Sequence, residues 1–190
     1  MNLIKSIIAK PILKKGFDQN TVSKPSVIEL KEKSCIGFSI TTTMKDDKKK
    51  EDIPPFFHDV YDNGKLNQLW HGHDRNMYCI FNLHPNMQDF DYYIATDNHH
   101  EQTNNEYKEI TIPAGKYVTV EFLKINHTAV SKIMMYLRAI WLRENGYKAR
   151  NSPAFILYDE RFHSNYEQYG CVGGNYPGRP VATYFLPVED

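Results

Sequence analysis

The residues of this chain best equipped for chemistry are its rings. Thirteen tyrosines, ten phenylalanines and two tryptophans stand among 190 residues. Ring faces attract cations, and flat apolar molecules stack on them, so this supply suits recognition of small aromatic or amphipathic ligands. Covalent chemistry has less to work with. No G-x-S-x-G elbow occurs, and Cys35, Cys79 and Cys171 show no local signature with a histidine. A general base would fall to Glu160, and only if it were buried. Histidines cluster in His71-Gly72-His73-Asp74 and His99-His100-Glu101. Neither cluster has the HExxH spacing or a cysteine partner, so both read as loop histidines and no metal or cofactor is called for.

Charge narrows the partners. Lysine plus arginine and aspartate plus glutamate both total 23. A protein that grips phosphates needs a basic excess, so direct DNA binding is not expected. Residues 1–24 read as an N-terminal arm or helix; the first 17 hold Lys5, Lys10, Lys14 and Lys15 and no acid. Lys5, Lys10 and Pro11 interrupt any signal-peptide core, and no apolar run is long enough for a membrane span. The odd, widely spaced cysteines, with Cys35 and Cys79 in apolar segments, read as reduced core thiols of a cytoplasmic protein.

These rings need elements to hold them. β-branched and aromatic runs predict strands at 34–43, 77–83, 90–96, 107–112, 116–124, 154–158 and 181–188. Val130, Ile133, Met134, Leu137, Ile140 and Trp141 recur at helical spacing and predict a helix over 128–144. A shorter helix is predicted at 53–63, with Asp52 as its cap and Gly64 after it. The charge run 45–52, the polar stretch 97–106 and the Gly- and Tyr-rich 163–180 read as loops, the last as a flap or a long surface connection. Ile112-Pro113-Ala114-Gly115 reads as a turn between strands. Strand, helix, strand, strand occurs twice at an offset of about 80 residues, the size of a small α+β unit. The predicted fold is therefore α+β: two such units related by a pseudo-two-fold, an antiparallel sheet, and a ligand cleft between halves at about 25–100 and 107–190.

The ordered set IPPFF, FDYYIATDN, YKEITIPAGKYVTVEF, IWLRENGYKARNSPAFILYDERF and ATYFLPVE resembles the GyrI-like small-molecule-binding domain. That domain is the effector-binding part of many AraC- and MerR-type bacterial regulators. The resemblance covers residues 25–190 and implies the same duplicated fold with a ring-lined cleft for drug-like, often cationic compounds. It also implies a carboxylate four residues before the proline of the last strand; here that position is Thr183. A hydroxyl without charge shifts the expectation toward neutral or polar aromatic ligands. Fewer than 25 residues precede the resemblance, too few for a helix-turn-helix domain, so a stand-alone effector module is expected. The residues assigned to ligand are Phe56, Trp70, Tyr93, Trp141, Tyr158 and Phe185 for stacking, Glu160 for charge or a hydrogen bond, and Thr183 for a hydroxyl contact. Trp141 is in phase with the buried helical stripe and reads equally as a core anchor. No catalytic residue is assigned. Two alternatives stay open: a hydrolase of reactive natural products on the same fold, and a protein-interaction module of the gyrase-inhibitor type, which would add a protein partner.

Overall fold

Residues 22–70, 75–99, 105–122, 127–163 and 182–189 are described in a computed structural model. The residues that strand propensity picks out join one eight-stranded antiparallel sheet, in the order β1-β6-β8-β7-β3-β4-β2-β5. The strands are β1 (Ser26–Leu30), β2 (Lys33–Thr43), β3 (Met77–Leu83), β4 (Asp89–Asp97), β5 (Lys108–Ile112), β6 (Gly115–Phe122), β7 (Ala154–Tyr158) and β8 (Ala182–Pro187). β3 and β7 match the sequence expectation residue for residue. β1 was not expected. It is an edge strand with mostly exposed side chains, so it carries little periodic signal.

The order is palindromic about the β3–β7 pair, in which Cys79 lies opposite Ile156. β2-β4-β3 and β6-β8-β7 are the two repeated units. Each unit is edged by the leading strand of the other: β1 pairs with β6, and β5 pairs with β2. This exchange ties the halves together by backbone hydrogen bonds at both margins. It also brings the β1 end at Leu30 and the β5 end at Ile112 to the same region of the sheet, around Lys33.

Helices connect β2 to β3 and β6 to β7. The first, α1 (Lys49–Phe57), continues as a π-helical stretch His58–Asp62; Pro54 and Pro55 lie inside it. It begins within the charge run expected to be a loop. Asp52 does not cap it; its carboxylate accepts from Thr42 Oγ1 at 2.6 Å and Lys48 Nζ at 3.0 Å, pinning the helix to β2. The second, α2 (His127–Tyr136), runs on through Leu137–Trp141 and Leu142–Glu144 and ends before Gly146, whose φ of 76° suits glycine.

Both helices pack on one face. Val60, Leu66, Ile133, Leu137, Ile140 and Leu142 join Met77, Cys79, Tyr92, Ile94, Val118, Val120, Phe122, Ile156 and Tyr184 in the larger core. The other face carries a second core of Cys35, Tyr78, Ile80, Ala95, Ile112, Tyr117, Phe155 and Phe185, to which no described helix residue contributes. Two buried faces explain why β3 and β7 read as continuous apolar runs. The loop 163–180, apart from His163, and the pair His71 and His73 lie outside the described residues, as do residues 1–21.

Candidate functional site

On the face to which no described helix residue contributes, the sheet holds a hollow of about 220 Å³. Its lining is Leu30, Lys31, Lys33, Asn76, Tyr78, Ile112, Phe155, Leu157 and Phe185. Strand alternation puts these rings together. β3 turns Tyr78 and Ile80 to this face and Met77 and Cys79 to the helices; β7 turns Phe155 and Leu157 here and Ile156 to the helices. Register then aligns them: Phe155 lies opposite Phe185, and Leu157 lies opposite both Tyr78 and Thr183. Phe155 and Phe185 stack with centroids 4.3 Å apart and planes 8° from parallel. Tyr78 and Tyr117 each meet Phe155 edge-on at 5.9 Å. Edge and face contacts of this kind complement the ring quadrupole and hold the floor rigid.

One wall is polar. Asp97, the last residue of β4, is only 8% exposed. The Tyr78 hydroxyl donates to its carboxylate, at 3.0 Å to Oδ2 and 3.2 Å to Oδ1. Asn76 Nδ2 donates to Oδ2 at 3.2 Å, and the Lys33 ammonium bonds to Oδ1. Lys33 Nζ also lies 5.3 Å from the centre of the Tyr78 ring. The neighbouring Cys35 thiol is pushed up to about 12 by burial, with the Asp97 charge adding to the shift and Lys33 opposing it. It is a neutral core group at ordinary pH.

The residues assigned to ligand from the sequence divide between the two faces. Phe185 lines the hollow, Thr183 neighbours Leu157 across the β7–β8 ladder, and Tyr93 packs against the same core. Phe56, Trp70, Trp141 and Tyr158 are on the helix side. Phe56 meets Tyr92 edge-on at 6.1 Å. Trp141 stacks on Tyr147 at 5.8 Å. Tyr158 is buried beside Phe162. Trp70 lies edge-on to Tyr61 and to the fully buried His163, whose Nδ1 is 2.8 Å from the Tyr61 hydroxyl. This cluster fastens the turn after β7 to the end of the first helix. Glu160 is exposed in that turn. Tyr78, Phe155, Leu157 and Lys33, which line the hollow, and Asp97 behind it are not among the residues assigned to ligand from the sequence. Among the described residues, no three His, Cys, Asp or Glu side chains gather as metal ligands, and no helix is long and apolar enough to cross a membrane.

The chain is similar to known proteins in both sequence and fold. A family model described as Cass2, integron-associated effector binding protein, matches residues 26–172. A search of curated proteins finds no match. Among solved structures, SAV2435 bound to tetraphenylphosphonium shares 17% identity at a TM-score of 0.66, covering 87% of this chain and 94% of its own. The integron cassette protein VCH_CASS2 of Vibrio cholerae shares 15% at 0.58, covering 89% and 98%. The EcmrR C-terminal domain shares 14% at 0.53, covering 87% and 97%.

Proposed function

The chain belongs to the Cass2 family of integron-associated effector binding proteins, and from that premise we propose that it takes a small aromatic effector in the hollow of its sheet, on the face opposite the two described helices. The observation that carries this reading is the hollow's construction. Three rings, Tyr78, Phe155 and Phe185, form one surface beside a buried, hydrogen-bonded carboxylate. Binding sites combine an apolar, ring-rich lining with a few fixed polar groups in this way. The tetraphenylphosphonium bound to SAV2435 supports ligand recognition on this fold. At about 220 Å³ the hollow falls below the roughly 300–1,000 Å³ of drug-sized sites, so one- or two-ring molecules fit best. Phe185 would stack on such a ligand, with Thr183 and Tyr93 flanking it. Phe56, Trp70, Trp141 and Tyr158 serve to seat the helices. Action through a bound ligand, rather than through direct contact with DNA, suits the balanced charge of the chain.

Titration with 2-naphthol and indole, followed by calorimetry, tests the reading. Wild type binds at least one of them. Leu157→Trp, which grows a ring into the hollow from a half-buried position, removes the binding while the protein stays folded by circular dichroism. Binding that survives Leu157→Trp places the ligand elsewhere and ends this assignment.

A further inference from the structure

The Lys33, Asn76 and Tyr78 side of the hollow, with the Asp97 carboxylate bonded directly behind it, has the composition of a seat for an organic cation. A buried carboxylate and the face of a tyrosine ring are the two groups that hold an organic ammonium most strongly, one by its opposite charge and the other by its quadrupole. Asp97 and Tyr78 provide both, and the Tyr78 hydroxyl and Asn76 amide orient the carboxylate. The seat is already filled by the chain itself. The Lys33 ammonium bonds to Asp97 and stands over the Tyr78 ring. Its side chain is 41% exposed against 10% for Asp97, so the lysine reaches in from the rim to a charge that lies deeper.

We infer that Lys33 is a specificity-determining residue that occupies the cation seat of the hollow and turns the site toward uncharged aromatic ligands; this rests on the reading of the hollow given above. A cationic ligand must displace Lys33, leaving its ammonium without the carboxylate, or else sit beside it and be repelled. A neutral ring needs neither. Other acids on this face are engaged elsewhere. Glu121 faces Arg161 at 3.5 Å, and Asp91 accepts from Thr41 at 2.7 Å. Thr183, on the neighbouring strand, brings no charge. Removing the lysine while keeping an apolar stem in its place frees Asp97 and Tyr78 for a guest.

The test uses two probes of the same shape, phenyltrimethylammonium and tert-butylbenzene, competed against 2-naphthol on the full chain. Wild type binds the neutral probe at least as well as the cation. In Lys33→Met the ratio of cation to neutral affinity rises by about tenfold or more, the factor supplied by one contact of about 1.4 kcal/mol. The double variant Lys33→Met with Asp97→Asn loses that gain. Lys33→Gln is read in the same way if the Met variant does not fold. A ratio that stays at the wild-type value, in a variant that still binds 2-naphthol, overturns the role of Lys33 and leaves the hollow standing as the site. Failure of wild type to bind either 2-naphthol or indole overturns both.

Discussion

Phe155→Ala removes the centre of the hollow's floor. Phe155 is 2% exposed, stacked on Phe185 and met edge-on by Tyr78 and Tyr117. Phe-to-Ala changes in cores cost about 3–5 kcal/mol, from lost transfer energy and the void left behind. The three ring contacts, each worth about 0.5–1.5 kcal/mol, are part of that sum. Phe155 borders the hollow, where it has no packing partner, so the lower half of the range applies, about 3–4 kcal/mol. At about 2–4 °C per kcal/mol for a chain of this length, the melting temperature falls by about 10 °C. Urea denaturation with an unchanged m-value measures the free energy, and a thermal scan gives the second estimate. The enlarged apolar space accepts a ring, so saturating indole restores more melting temperature to the variant than it adds to wild type. A loss under about 1 kcal/mol, the scale of a surface change, refutes the argument that these rings form a packed floor.

Three further outcomes follow from single contacts. A Cβ at Gly37 would lie 2.1 Å from the Ile94 carbonyl oxygen and 2.5 Å from Ala95 Cα; both are backbone, so Gly37→Ala forces β2 from β4 and costs about 3 kcal/mol or more. A Gly37→Ala protein melting with wild type would contradict the β2–β4 register. Tyr61→Phe deletes a hydrogen bond to a fully buried histidine, and urea titration reads a loss of about 1–3 kcal/mol; an unchanged midpoint would show that the contact contributes nothing. Burial pushes the Cys35 and Cys79 thiols up to about 12 from 9.0. Below pH 9 both states keep these protons, and above it the unfolded chain gives them up first. Stability from the thiols is therefore whole below pH 9 and drains away toward pH 12, by at most about 4 kcal/mol each. Burial raises Tyr92 and Tyr158 in the same direction. Urea midpoints that hold constant from pH 8 to 11 would sink this account.

What the sequence discloses depends on which signal a residue carries. Met77–Leu83 and Ala154–Tyr158 are legible as strands because every residue but Asn82 is β-branched, aromatic or apolar. The same property hides which face each side chain serves. With both faces buried, alternation gives no polar marker, and Tyr158 is assigned to ligand while Phe155 and Tyr78 pass as plain core. β1 is hidden for the opposite reason: Ser26, Ile28 and Glu29 are exposed, and its partner Gly115–Thr119 lies far along the chain. The start of α1 is hidden because Lys49, Lys50 and Glu51 suit an exposed helix face as well as a loop. Asp97 falls at the junction of a strand and a polar run; its chemistry comes from Tyr78, Asn76 and Lys33, and no local pattern reports those partners.

The pseudo-two-fold makes the placement of charge more informative than its presence. The registers equate Tyr78 with Phe155, Ala95 with Phe185, and Asp97 with Pro187. They also equate Thr183 with Tyr93, so that position carries no acid in either half. The carboxylate stands four residues further along the first half's equivalent strand, where the second half has a proline, and the ammonium that answers it, Lys33, matches Gly115. A duplicated sheet would otherwise present a hollow nearly the same from either side, in which a flat ligand could lie two ways. Here one half offers only apolar side chains, Phe155, Phe185, Leu157 and Ile112, and the other offers a ring backed by an ion pair. Polarity is thus confined to the end where Leu30 and Ile112 bring the two sheet margins together. A ligand with one polar end then has a single favoured orientation, its hydroxyl or amide toward Lys33 and Asp97 and its ring over Phe155 and Phe185. Nuclear Overhauser contacts from bound 2-naphthol check this: the ring edge distant from the hydroxyl should report Phe185, and equal contacts from both ends would mean that the ion pair does not orient the guest.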